Sequence, residues 1–307
     1  MLAVSIRTGK SIHLVPFPWR ISIVAFMANP LLIKDDAQAA RETVEVLAKD
    51  PFFDVVELNL LGDEAWRSVE PLLKSSGLEV AAGLQPMTLA QGFNPSSVNE
   101  DERRRAVEAL SQAIKTAASR GVRRVAFSSG ADPGSGNREA AKDSLVKSLR
   151  ELAGLGSKLG VEVILETFDR DWDKRQLIGP IREAVEVVSE VRQSFENVGL
   201  LWDLSHAPML GEKPADLKLA KGLLSHIHIG CAKKLPDGKL VDWHPGFYRP
   251  GAVNGVEDVS DLLKVLAEIE YSGAVGFEVK PEEGQFWREV VESAKGVLYT
   301  AFARVVQ

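Results

Sequence analysis

The sequence predicts a closed (β/α)8 barrel forming a single domain. Three observations carry this expectation. From residue 21 onward, short apolar β-branched segments alternate with longer segments whose apolar residues recur at helical spacing. The alternation repeats eight times, the number of parallel strands that closes such a barrel. The length of 307 residues exceeds an ordinary compact domain but suits one barrel, which runs to about 250 residues before insertions.

The strand-like segments are 21–26 (ISIVAF), 53–58 (FDVVEL), 78–84 (LEVAAGL), 123–128 (RRVAFS), 161–166 (VEVILE), 198–203 (VGLLWD), 225–229 (SHIHI) and 274–279 (AVGFEV). Helical patterns cover 36–49, 63–75, 100–120, 139–159, 181–194, 214–223, 256–270 and 285–304. Gly77, Gly121, Gly160 and Gly273 punctuate the joins just before strands. Strand followed by helix implies parallel pairing through helical crossovers. An open, doubly wound sheet is the competing architecture, but it usually carries a glycine-rich phosphate loop after its first strand. Here that loop reads MANPLLIKDD, without glycine. No linker or composition break divides the chain. Residues 1–20 are therefore expected to be an N-terminal extension and residues 21–307 the barrel.

Composition narrows the function classes. Hydrophobic residues make up 45% of the chain and charged residues 26%, which suits a large core and an ordinary folded surface. The net charge of −6 argues against a nucleic-acid partner, which normally needs a basic face. The single cysteine, Cys231, allows no intrachain disulfide and points to a reducing, cytoplasmic setting. Residues 1–20 contain Arg7, Lys10 and Arg20 and no long apolar run, so they do not read as a signal peptide. No stretch of about 18 apolar residues exists, and no membrane association is expected.

In a barrel of this kind the reactive groups stand at the C-terminal ends of the strands. Strand five ends in Glu166 and strand six in Asp203, with His206 three residues later. Strand seven carries His226 and His228, and strand eight carries Glu278 above the small residues Ala274 and Gly276. Period-two alternation puts His226 and His228 on one face, His228 nearer the mouth. Any one of these residues would pass as a helix cap, a salt-bridge partner or a structural histidine. Four in register on neighbouring strands are harder to dismiss, because clustered carboxylates repel one another unless a cation joins them. Hard oxygen donors with one imidazole suit Mn²⁺, Mg²⁺ or Co²⁺, with Zn²⁺ as a further option. Four of the five histidines, His206, His226, His228 and His244, fall in one short stretch.

The segments LETFDRD (165–171), WDLSH (202–206), HIHIG (226–230), DWHPGFYRPG (242–251) and FEVKP (277–281) resemble, in order and spacing, the motifs of the xylose-isomerase-like TIM barrel superfamily. That superfamily holds sugar isomerases, ketose 3-epimerases, hydroxypyruvate isomerase, inosose dehydratase and endonuclease IV. The resemblance runs from about residue 20 to the C-terminus and specifies the superfamily better than the substrate. It implies that Glu166, Asp203, His228 and Glu278 ligate one divalent metal ion and that His206 contacts substrate oxygen beside it. His226 reads rather as a hydrogen-bonded histidine of the barrel interior.

The chemistry such a set supports is metal-dependent isomerisation or epimerisation of a sugar or similar hydroxyketone through an enediolate. Glu166 and Glu278 would serve as base and conjugate acid, with His206 holding or shuttling a hydroxyl proton. Further candidates for substrate contact are Lys234, Arg249, Trp172 and His244, the last of which alternatively orders the loop over the mouth. For Lys234 a solvated surface position is the alternative. Trp202 alternates away from Asp203 and is expected under a helix, and Glu57 reaches either the pocket or a salt bridge. The partner expected is a small carbohydrate, and a homo-oligomer is compatible with the sequence. Three other readings remain: an inosose-type dehydratase, an endonuclease IV-like nuclease and a non-catalytic sugar-binding barrel. Asp242-x-His244 resembles part of the nuclease's third metal site, but no histidine lies between His13 and His206 to complete such a cluster.

Overall fold

A computed structural model describes residues 2–307. Its centre is a closed barrel of eight parallel strands: β3 (Arg20–Val24), β4 (Val55–Asn59), β5 (Glu79–Gly83), β6 (Arg124–Ser128), β7 (Glu162–Glu166), β8 (Val198–Asp203), β9 (Leu224–Ile229) and β12 (Ala274–Phe277). Each pairs with its sequence neighbour in the barrel, and β12 closes the ring against β3, with Ala274 opposite Arg20 and Phe277 opposite Ile23. The eight expected strands are all present, with ends shifted by a residue or two, as fraying ends allow.

Helices cover the outside: α1 (Ala25–Ala28), α2 (Ala37–Ala48), α3 (Asp63–Ser76), α4 (Gln85–Leu89), α5 (Glu100–Ser119), α6 (Arg138–Leu159), α7 (Ile181–Arg192), α8 (Ala207–Leu210), α9 (Val256–Glu268) and α10 (Trp287–Val306). Local sequence explains several starts and stops. Asp36 and Asn99 cap α2 and α5 by accepting backbone N–H bonds, from Ala39 and from Asp101 and Glu102. Gly160 ends α6 at φ 67°, a left-handed conformation that costs a glycine little. The short α4 and α8 lie in what read as loops, and α1 takes up the last two residues expected of the first strand, Ala25 and Phe26. The segment expected as helix over 214–223 is a 3-10 helix, Pro214–Ala220. Its buried Leu217 and Ala220 recur at spacing three, which fits three residues per turn as well as an α-helical stripe.

Alternation along the strands divides the core in two. Outward residues such as Val56, Leu165, Trp202, Ile227 and Phe277 pack against the helices in one large apolar cluster. Trp202 is fully buried there and its indole N–H donates to Glu212 Oε2 at 3.0 Å. Inward residues fill the barrel in layers. Arg20, Glu79, Arg124 and Glu162 form an ion-paired network at the N-terminal end. Val55, Ala81, Ala274, Ala126, Ile164 and Leu201 form two small apolar clusters above it. The next inward positions, towards the strands' C-terminal ends, are the polar ones treated below.

Residues 3–16 form an antiparallel hairpin, β1 (Ala3–Thr8) with β2 (Ser11–Pro16), outside the barrel sheet. Gly9 takes φ 62° at the first of two loop positions, as a type II′ turn requires. Phe17 then packs edge-on against Trp19 and Phe302 of α10, tying the segment to the barrel. A second small pair, β10 (Lys233–Lys234) with β11 (Leu240–Val241), opens the long loop after β9. Among the described residues no helix is long and apolar enough to cross a membrane.

Candidate metal centre and cavity

β7, β8, β9 and the residue after β12 each send one inward side chain to the same height: Glu166, Asp203, His228 and Glu278. Parallel register sets this, with Asp203 opposite His228 and Gly276 opposite His228 on the other side. A register shift between Leu200 and Leu201 skips one residue of β9 and aligns both of its histidines with inward positions of β8. One donor atom from each of the four side chains lies within 4.8 Å of the others. Glu166, Asp203 and His228 are buried, and the Glu278 side chain is 13% exposed.

The fit to a cation shows in the orphaned atoms. His228 Nδ1 lies 2.9 Å from Glu278 Oε2 and 3.8 Å from Glu166 Oε1, yet neither His228 Nδ1 nor Glu278 Oε2 has a hydrogen-bond partner. Buried polar atoms are rarely left so, and these converge where an ion would satisfy them together. The other ring nitrogen is committed: His228 Nε2–H donates to Glu57 Oε2 at 2.9 Å. That bond fixes the tautomer and leaves the Nδ1 lone pair for the centre. Glu57 also accepts from His226 Nε2 at 2.9 Å and from the Ser22 hydroxyl at 2.5 Å. Burial would raise the Glu57 carboxyl, but the two imidazoles beside it hold it well below the ordinary range. Glu57, read as either a pocket residue or a salt-bridge partner, is both, since it also lines the cavity. His226 is a buried, hydrogen-bonded interior histidine.

Electrostatics separates the two glutamates. Burial and the neighbouring Glu278 push Glu166 up to about 8. Against burial, His244 and His228 hold Glu278 down to about 2. Gln85, two residues past the end of β5, donates to Glu166 Oε2 at 2.7 Å. Space for this crowding comes from Gly276. A Cβ there would stand 2.8 Å from Glu57 Oε1 and 3.1 Å from His228 Cδ2, and closer still to Ser22 Oγ.

A second buried group adjoins the first. His206 Nδ1–H donates to the Thr167 carbonyl at 2.8 Å, and its ring lies 4.6 Å from that of Phe168. Its Nε2 faces Asp242 Oδ1 at 3.3 Å and Asp203 Oδ2 at 3.8 Å. Asp242 Oδ1 also meets His244 Nε2 at 2.5 Å. Burial disfavours the charge on each imidazole, but the surrounding carboxylates, Asp242 foremost, together outweigh it, raising His206 well above its ordinary value and His244 to about 9. His206 thus stands beside Asp203 as the Asp-x-x-His spacing suggested, though it lies outside the walls of the cavity.

That cavity has a volume of about 290 Å³. Glu57, Gln85, His228, Asp242, His244 and Glu278 supply its polar wall, and Phe26, Met27, Ile33, Leu89, Phe168 and Trp243 its apolar wall. Lys174 and Lys280 line it as well. Of the residues read from sequence as substrate contacts, only His244 lines it. Trp172 is half-buried with its backbone N–H bonded to Asp169, and Lys234 and Arg249 are exposed and away from its walls. The aromatic wall is Trp243 instead, and the cations are Lys174 and Lys280. Gln85 was legible in principle, as a polar side chain at a strand end. Lys174 and Trp243 sit on loops whose course no periodicity reveals, and Lys280 stands just past the last expected strand.

A closed parallel barrel with a buried carboxylate and histidine centre at its C-terminal mouth defines a class, and the sequence comparison supplies the family. The chain belongs to the xylose isomerase-like TIM barrel family, whose model matches residues 37–297. Inosose isomerase of Bacillus licheniformis is 29% identical over 147 residues, which are 47% of this chain and 50% of that protein. The chain thus spans about half the length of the curated relative it matches. Among solved structures, a D-tagatose 3-epimerase-like protein superposes with a TM-score of 0.70 at 20% identity, covering 93% of this chain and 98% of that one. The IOLI protein, in a crystal structure with a bound zinc atom, gives 0.69 at 19% identity over 93% and 99%. At these identities the structural likeness establishes the fold.

Proposed function

We propose that this chain is a divalent-metal-dependent isomerase or epimerase of a sugar or similar polyhydroxy ketone. The observation that carries the reading is the convergence of Glu166, Asp203, His228 and Glu278 within 4.8 Å, with His228 Nδ1 and Glu278 Oε2 unsatisfied, beside a cavity of monosaccharide scale. The names of the relatives, an inosose isomerase and ketose epimerases, support the same class of substrate. The donor set of three carboxylates and one imidazole suits Mn²⁺, Mg²⁺ or Co²⁺, and the zinc in the IOLI structure keeps Zn²⁺ open.

A bound dication would supply electrostatic stabilisation to the enediolate formed when a proton leaves the carbon beside a ketone. The chain supplies the rest. Glu166 and Glu278 come from separate strands on either side of the centre, so one can abstract the proton as base while the other returns it as conjugate acid. Glu57 orients His228, and Gln85 holds one oxygen of Glu166. The apolar wall around Phe26, Met27 and Trp243 excludes water from one side of the substrate.

Glutamate-to-glutamine variants test the proposal. Glu166→Gln and Glu278→Gln each keep one oxygen donor while removing the basic carboxylate. Metal analysis should find the ion retained, more weakly. Solvent-deuterium exchange into a panel of ketoses and inososes should fall by about 10²–10⁴-fold in either variant. If each glutamate serves one face, the variants should differ in which epimer still exchanges. Parent-like exchange in both would sink the two-glutamate mechanism.

A further inference from the structure

Lys280 is a cation without an anion. It follows Glu278 by two residues, so alternation turns both side chains to the same side, and both line the cavity. Its backbone N–H donates to the His244 carbonyl at 2.7 Å, within a parallel bridge between Lys280 and Pro245. That tie brings the loop residue Trp243 under the ammonium, with Lys280 Nζ 3.9 Å from the ring centroid. Among the described residues no carboxylate and no hydrogen-bond acceptor lies within reach of Lys280 Nζ.

The other charges in the wall are matched or belong to the metal centre, where Glu278 faces His228 and His244. Glu57 faces His226 and His228, and Asp242 faces His206, His244 and Lys174. The Lys174 ammonium is spent on Asp173 Oδ2 at 2.8 Å, the Asp242 carbonyl at 3.2 Å and Asp242 Oδ2 at 3.5 Å. A half-buried ammonium that keeps its stem on a tryptophan and its three donors free is poised for an incoming anion.

We propose that Lys280 is a specificity-determining residue that takes a carboxylate carried by the substrate, so that the substrate is an acidic rather than a neutral polyhydroxy ketone. The assignment rests on the reading that this cavity binds a hydroxyketone. A carboxylate is favoured over a phosphate ester on charge. Phosphate carries close to two charges at neutral pH and is generally met by several donors or a guanidinium fork. The described walls offer one unpaired ammonium and no arginine.

Calorimetric titration of the Mn²⁺-loaded protein with three ketoses sharing one carbon skeleton tests this: D-fructuronate, D-fructose and D-fructose 6-phosphate. In the parent, D-fructuronate should bind about tenfold or more tighter than D-fructose, the difference expected of one charge-assisted hydrogen bond. Lys280→Met, which keeps the stem on Trp243, should erase that ratio, and Lys280→Arg should restore part of it. Metal content and melting temperature of both variants report folding independently. No carboxylate advantage in the parent overturns the proposal, including the case in which none of the three binds. So does an equal loss for all three ketoses in Lys280→Met, which would make the lysine only a prop for Trp243. A preference for the phosphate ester over D-fructuronate would overturn the choice of anion. Deuterium exchange that is silent for every ketose would sink the isomerase reading, while the affinity ratio would still report on Lys280.

Discussion

Glu57 shows how much of this centre is decided by a residue that donates nothing to it. It is buried, accepts three hydrogen bonds, and sets which nitrogen of His228 faces Glu278. Glu57→Gln preserves the shape but offers one acceptor oxygen where two are needed, so one histidine loses its anchor. Metal affinity should fall by about 10–100-fold, the usual cost of removing a partner behind a ligating histidine, with the fold retained. Competition with a chelator measures it, and unchanged affinity would mean that His228 needs no orientation. At this scale the sequence was informative wherever a strand end fixed the side chain's direction. Glu166, Asp203, His228 and Glu278 were legible because alternation and barrel geometry leave an inward strand-end residue one place to go. Lys174 and Trp243 were not, because loop packing decides their positions, and Lys280 falls one residue beyond the strand expected over 274–279. Lys234 and Arg249 read as substrate contacts from their place in the chain alone, and the loops carry them away from the cavity.

Among the elements, β12 carries the tightest constraint. Its inward positions are Ala274 and Gly276, and the absent side chain of Gly276 is the space that Ser22, Glu57 and His228 occupy. Gly276→Ala should therefore lower stability by about 1–3 kcal/mol, as overpacking a filled core does, and should weaken metal binding with it by displacing Glu57 and His228. Urea denaturation with and without metal reads both effects. A fully stable variant with parent-like metal affinity would show that the interior yields more easily than its distances suggest. The strands themselves were readable because each is an apolar run bounded by turn residues. The 3-10 helix over Pro214–Ala220 was not distinguished from an α-helix, since two buried residues three apart fit either period. The hairpin of β1 and β2 escaped notice because it lies before the repeating pattern, although its residues alternate around Gly9.

For the whole molecule the buried charges set a pH dependence. Glu166 rises from an ordinary 4.5 to about 8 on folding, so the folded state holds its proton more tightly and loses that stabilisation as pH climbs through this range. His244 rises from 6.5 to about 9, so its contribution is complete below 6.5 and lost by 9. Glu278 falls from 4.5 to about 2, so its contribution is present above 4.5 and lost in acid. The metal-free protein should accordingly melt at lower temperature as pH rises from 6.5 to 9. Divalent metal should oppose the fall, because its ligands must be deprotonated and its affinity grows as they are. Differential scanning calorimetry across that range, with and without Mn²⁺, measures both trends. A metal-free melting temperature that climbs with pH would contradict the charge assignment.

The closing pair of the barrel joins β3 to β12, strands from opposite ends of the chain. During synthesis, then, the sheet stays open until β12 is made, with the edge of β3 and that of the latest strand, finally β9, unpaired and able to template wrong partners. Glu278 emerges just after β12, so three donors wait on the fourth until the last barrel strand has been made. On the proposed reading, metal capture could not guide the early stages of folding and would act as a late lock. A ribosome stalled before residue 274 leaves an unclosed sheet with an incomplete centre, a species for proteases and chaperones to recognise rather than a weaker form of the finished protein.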